Sequence, residues 1–206
     1  MAENTHNHLE KVLGGFLEAR DIIKANDDSI EPLGYEGTKF HFYRFVNRYR
    51  LAVNFRGVVI DDYGQDTADT YGVIHKLFLM WSTFEMYCHL CDKPYHKMFL
   101  SYPKHKTHTL AREYRELDSD GVLIDFLIRR SSVHGQDEFM SQFKDGNNLR
   151  VITIAACIRH IYAHGHLTAH PQGMTAESTS AICKLFTSFI SNFIINDFQT
   201  RLMKAR

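Results

Sequence analysis

Leu9, Val12, Leu13, Phe16, Leu17 and Ile22 recur at the three- and four-residue spacing that lines one face of an α-helix, and predict a first helix over residues 8–25. Asn26-Asp27-Asp28-Ser29 breaks the pattern. Phe42, Phe45, Val46, Tyr49 and Val53 mark a second helix over 40–59, with Val58, Val59 and Ile60 leaving a short strand open at its end. Asp61-Asp62-Tyr63-Gly64 closes that stretch. Residues 69–90 are apolar on almost every side, which predicts a helix at the centre of a bundle, touched from several directions. Glu85 interrupts its surface.

Shorter amphipathic patterns predict helices over 107–117, 122–130 and 137–143. Asn147 or Asn148 is a suitable N-cap for a helix over 149–164, and Gly165 a suitable stop. Thr175 can cap a last helix over 176–201, whose buried stripe is Ile182, Leu185, Phe186, Phe189, Ile190 and Phe193. The prolines, at 32, 94, 103 and 171, all fall between periodic segments. No repeat, linker or βαβ alternation appears. The expected architecture is a single all-α domain, a helical bundle spanning 1–206.

Composition adds limits rather than detail. At 206 residues, with 44% hydrophobic and 23% charged residues, the chain can bury one sizeable core. Lysine plus arginine equals aspartate plus glutamate, 24 each, so no global basic field points to nucleic acid. No apolar run approaches the roughly 18 residues of a membrane span, and the polar start Met1-Ala2-Glu3-Asn4-Thr5-His6 is unlike a signal peptide. Cys88, Cys91, Cys157 and Cys183 lie within helical patterns rather than a disulfide framework, and a reduced, cytoplasmic setting is expected.

The candidate chemistry lies at the close of the helix predicted over 149–164: Arg159-His160-Ile161-Tyr162-Ala163-His164-Gly165. Thirteen arginines and thirteen histidines give roughly two to three chance matches to R-x4-6-H, so the string alone decides nothing. Arg129-Arg130-Ser131-Ser132-Val133-His134 is a second match. Context separates them. Arg159 is followed by a polar residue and stands in the last turn of a strongly apolar helix that precedes one more long helix, whereas Arg129 runs into a loop-like serine pair.

Arg159, His160 and His164, in that setting, resemble the motif of the HEPN superfamily (higher eukaryotes and prokaryotes nucleotide-binding domains), in which a polar residue follows the arginine at the end of the penultimate core helix. The helix with Trp81, Phe84 and Glu85 resembles the family's earlier core helix, where an acidic residue supports the arginine. The resemblance covers residues 66–203, with 1–65 as an N-terminal helical extension. It implies a homodimer with both motifs facing one cleft, metal-independent endoribonuclease activity on RNA and, in some members, a neutralising protein partner. It equally implies members that keep the fold and bind nucleic acid or protein without catalysis.

The residues support that chemistry independently. RNA carries its own nucleophile, the 2′-hydroxyl, so cleavage needs no metal or cofactor. His164 is the candidate for proton transfer, with His160 assisting. Arg159 is the candidate for stabilising charge on the phosphoryl oxygens. Glu85 is expected to orient Arg159 or simply to occupy a wet seam, and Tyr162 to contact a base or fill an interface. At about 100° per residue, Arg159 and His164 stand some 140° apart around an ideal helix. The helix must therefore loosen, the arginine sweep round, or the working pair come from two subunits.

Other constellations are weaker. His160, His164, His166 and His170 could begin a metal site, but lack an accompanying glutamate. The Cys88–Cys91 pair lacks the second pair of a structural zinc site. Lys104, His105, Lys106, His108 and Arg112, near Tyr102 and Tyr114, could track an RNA backbone or form a solvated face.

Overall fold

The computed structural model describes residues 9–99, 102–131 and 135–206. Its helices are α1 (Phe16–Ala25), α2 (Lys39–Asn54), α3 (Gln65–Leu90), the single turn α4 (Tyr95–Met98), α5 (Lys104–Leu117), α6 (Val122–Arg130), α7 (Gln136–Lys144), α8 (Ile152–Ala163) and α9 (Ala176–Ala205). No strand occurs among the described residues. The protein is an all-α, single-domain helical bundle.

Helix α3 is its axis. It packs against α2, α8 and α9, burying Ile74, Leu77, Met80, Trp81, Phe84 and Tyr87. Apolar positions on all its sides require that placement, because no side can face water cheaply. Glu85 and the half-buried Phe78 lie along its accessible seam. The N-terminal helices share this core: Phe16 and Phe198 both stack with Phe42, and all three belong to the same buried cluster as Trp81.

Two expected helices are shorter than their apolar patterns. The first, expected over 8–25, is broken at Gly14 and Gly15, whose φ values are 66° and 69°; His8 lies outside the described residues. A Cβ on Gly15 would meet Leu202 Cδ2 at 2.3 Å, so the chain bends where α9 comes close. The Glu10 carboxylate accepts the Gly15 and Leu17 amides, each at 2.8 Å, and thereby caps the N-terminus of α1. Helix α2 ends at Asn54 rather than running to 59, and the strand left open around Val58 does not form. Instead residues 55–60 cross α3 at Gly72, where an added Cβ would meet Gly57 Cα at 3.2 Å.

At the other end, Thr175 caps α9 as expected, accepting the Ser178 amide at 3.1 Å. Helix α9 reaches a mean hydropathy of 1.2 over an 18-residue window, enough by length and composition to cross a bilayer, with 39% of that window buried in the bundle. Serines and a lysine punctuate its apolar positions, and the core helix of a bundle meets the same measure of length and composition. Ile182, Phe186, Ile190, Phe193 and Phe198 are buried. A polar relay, buried at its tyrosine end and partly exposed at the other, ties α9 to α3: Tyr35 meets Tyr87 at 3.2 Å, Tyr87 donates to Asp197 at 2.6 Å, and Arg201 donates to the same carboxylate at 2.7 Å.

Candidate functional site

Helix α8 carries the motif, and its neighbours fix it firmly. A 3₁₀ turn, Asn148–Arg150, precedes it, with Asn147 accepting the Leu149 amide at 3.3 Å. The asparagine cap thus forms, but on the 3₁₀ turn, and regular helix begins only at Ile152. Arg115 on α5 donates to Asn148 Oδ1 at 2.6 Å and to the Phe143 carbonyl at 3.1 Å, while its guanidinium covers the Phe143 ring. Cys157 donates to Gln136 on α7 at 3.2 Å. Residues Ile152 to Ile158 are all buried, so the first two turns anchor the helix and leave the last turn to present side chains.

The helix stays regular to Ala163 and then closes abruptly. Gly165, at φ 71°, donates to the Tyr162 carbonyl at 3.0 Å, and His166 donates to the Ile161 carbonyl at 3.0 Å. These are the two bonds of a Schellman motif, which requires the left-handed conformation that glycine adopts without strain. His164 is therefore the C-cap residue, with no unwinding that would swing it towards Arg159.

The last turn presents two different faces. On one, Arg159 and Tyr162 lean on α3. Arg159 Nη2 lies 3.2 Å from Glu85 Oε2, and Trp81 donates its indole N–H to the other oxygen, Oε1, at 2.9 Å. The Arg159 guanidinium also sits 5.6 Å from the centre of the Phe78 ring. Its Nε is buried without a hydrogen-bond partner in the structure. Tyr162 meets Phe78 and His75 edge-on, with its hydroxyl 3.4 Å from His75 Nδ1. Tyr162 thus packs against the seam of α3.

The second face carries His160 and His164, one turn apart, with ring centres 4.5 Å apart. Together with Ile161 and His166 they line a cavity of about 280 Å³ whose remaining wall is Arg129 and Arg130, from the last turn of α6. That wall is well anchored. Asp118 accepts the Leu123 and Ile124 amides at 3.0 and 3.1 Å, capping α6, and receives the Tyr114 hydroxyl at 2.6 Å. Among the described residues, no carboxylate lines the cavity. Partial desolvation, followed by the charges of His164 and Arg159, holds the His160 imidazole below its ordinary pKa.

The structure therefore joins Arg159 to Glu85, with Tyr162 on the same side, and joins His160 to His164. It does not bring Arg159 into the histidine cavity, which is lined by other arginines. Arg129 and Arg130, which in sequence belong only to a competing string match, are what the sequence reading missed. Their position in the last turn of a short helix was visible, but nothing in the chain order indicates that α6 and α8 end side by side. His134 of the second string match lies outside the described residues.

The rival constellations gain little. No three or more histidine, cysteine, aspartate or glutamate side chains among the described residues are grouped to hold a metal ion. All four cysteines are free and buried, and burial pushes Cys91, Cys157 and Cys183 up to about 12. Beside the basic stretch of α5, Tyr114 is buried, and Tyr102, just before the helix, is half-buried with its ring packed on Phe189 and Phe193. Comparison with protein-family models, curated proteins and solved structures yields no match to this chain.

Proposed function

We propose that this protein is a HEPN-like, metal-independent endoribonuclease that acts on single-stranded RNA as a homodimer, with each working site assembled from two copies. The observation that carries this reading is the divergence of Arg159 and His164 on one rigid helix. Arg159 is oriented by Glu85 and Phe78, while His164 is exposed on another face, so a phosphodiester engaged by both is best reached across a two-fold axis.

In the proposed reaction His164 accepts the proton of the 2′-hydroxyl, and O2′ forms a bond to phosphorus. The bond from phosphorus to O5′ breaks, and an imidazolium supplies the proton that the departing oxygen requires. Arg159 neutralises charge developing on the non-bridging oxygens. The unsatisfied Nε suits this role, because an arginine with one buried donor unpaired gives up less when it turns from Glu85 towards a phosphate. The products are a 2′,3′-cyclic phosphate and a 5′-hydroxyl. Because the nucleophile is tethered to its target, the scheme assigns no step to a metal.

The test incubates the purified protein with single-stranded RNA in chelator, beside Arg159→Ala and His164→Ala. Cleavage by wild type, reduced about 10²- to 10⁴-fold in each variant, is expected. Equal cleavage by all three would overturn the site.

One observation favours a second reading. The ion pair with Glu85 already occupies Arg159, which suits a non-catalytic HEPN-like module that binds nucleic acid or another protein. Absence of cleavage together with retained RNA binding would favour this alternative.

A further inference from the structure

We propose that the cavity between the ends of α6 and α8 is a phosphate-binding site, in which Arg129 and Arg130 grip one backbone phosphate of single-stranded RNA against His160 and His164. The ligand's identity rests on the nuclease reading; the anion site itself rests on the geometry.

Five of the six described lining residues carry or can carry positive charge: Arg129, Arg130, His160, His164 and His166. In a chain whose acidic and basic residues balance at 24 each, that one-sided composition is local. Asp125, one turn before Arg129, is engaged by Lys144 of α7 at 2.6 Å rather than lining the cavity. At about 280 Å³ the space falls just under the roughly 300–1,000 Å³ of sites for drug-sized molecules. It suits a phosphate and an edge of its sugar. Guanidinium groups offer planar paired donors that match phosphate oxygens, and imidazolium adds two more.

Both α6 and α8 end here, and their negative dipole ends alone would favour cations. That effect explains the attraction of one or two positive groups to each end. It does not explain five converging on a shared concavity. The His160 pKa is lowered first by partial desolvation and then by the charges of His164, its neighbour in the cavity, and of Arg159 on the other face. A bound phosphate would place negative charge beside the rings and draw protons onto them.

The experiment follows the histidine Cε1–H resonances by NMR through a pH titration of the full-length protein. His160→Gln and His164→Gln supply the assignments. Inorganic phosphate and a non-cleavable single-stranded 2′-deoxy oligonucleotide are the probes, with chloride at equal ionic strength as the control. Both probes are expected to raise the His160 and His164 midpoints by about one pH unit. In the double variant Arg129→Gln/Arg130→Gln, circular dichroism should be unchanged and phosphate should bind at least about tenfold more weakly. Midpoints that respond to phosphate no more than to chloride, or equally in the double variant, would overturn the site. A response to inorganic phosphate but not to the oligonucleotide removes the RNA assignment. Binding without RNA cleavage leaves this site standing and removes the nuclease reading, whereas cleavage without the midpoint shift does the reverse.

Discussion

The guanidinium of Arg159 and the carboxylate of Glu85 meet at 3.2 Å across a separation of 74 positions in the chain. Trp81, one turn before Glu85, holds the carboxylate's other oxygen at 2.9 Å. A cation on the last turn of α8 is thus oriented by two residues of the central helix. Glu85 lies on the wet seam and is also paired, so its two expected roles coincide.

Glu85→Gln separates positioning from stability. The two side chains are 30% and 44% exposed, so the bridge itself contributes roughly 0–1 kcal/mol. A melting temperature within a few degrees of wild type is expected, together with about a tenfold loss of RNA cleavage and altered emission from Trp81, the chain's single tryptophan. Unchanged cleavage with a large drop in melting temperature would make the carboxylate structural.

Mixing two inactive variants tests the composite site. If Arg159 of one copy works with His164 of the other, a dimer of Arg159→Ala with His164→Ala contains one intact site and one doubly defective site. Random exchange makes about half the dimers mixed, so activity should recover to about one quarter of wild type. No recovery, with subunit exchange verified by mass spectrometry, places both residues of the working pair on one chain.

Acid should destabilise the protein through His160. Its folded pKa is below the ordinary value of 6.5, so the unfolded chain takes up the proton more readily. This contribution is complete above about pH 6.5 and is lost as pH falls through the folded value. His160→Gln should therefore show a smaller fall in melting temperature between about pH 7 and pH 5.5 than wild type does, as read by circular dichroism. An equal fall would assign the acid sensitivity to other groups.

Gly15→Ala probes the close approach of α1 to α9. Left-handed backbone costs a side chain about 1–2 kcal/mol, and the collision with Leu202 at 2.3 Å adds overpacking of about 1–3 kcal/mol. Gly121→Ala, with φ 68° but its nearest contact at an ordinary 3.6 Å, should suffer only the backbone cost. Urea denaturation should rank the two in that order, and equal losses would show that Leu202 moves aside.

Much of the architecture was legible because burial leaves a period in the chain. The all-round apolar pattern of 69–90 required a central helix, Thr175 marked the start of α9, and Gly165 marked the end of α8. Angular spacing likewise separated Arg159 from His164 before any contact was known. Breaks caused by distant partners were not legible. The bend at Gly14–Gly15 depends on Gln199 and Leu202 of α9, and the early end of α2 on a crossing over Gly72.

For the site, local order determined that Arg159, His160 and His164 share the final turn and closing cap of one apolar helix, because helix geometry and capping act within a few residues. Tertiary packing alone decided their company: Glu85 and Phe78 on one face, Arg129 and Arg130 on the other. Those neighbours come from helices tens of residues away, brought together by a core that the whole chain must bury. The sequence by itself therefore specified a cation and two imidazoles on one turn, and only the folded bundle decided that they face two different surfaces.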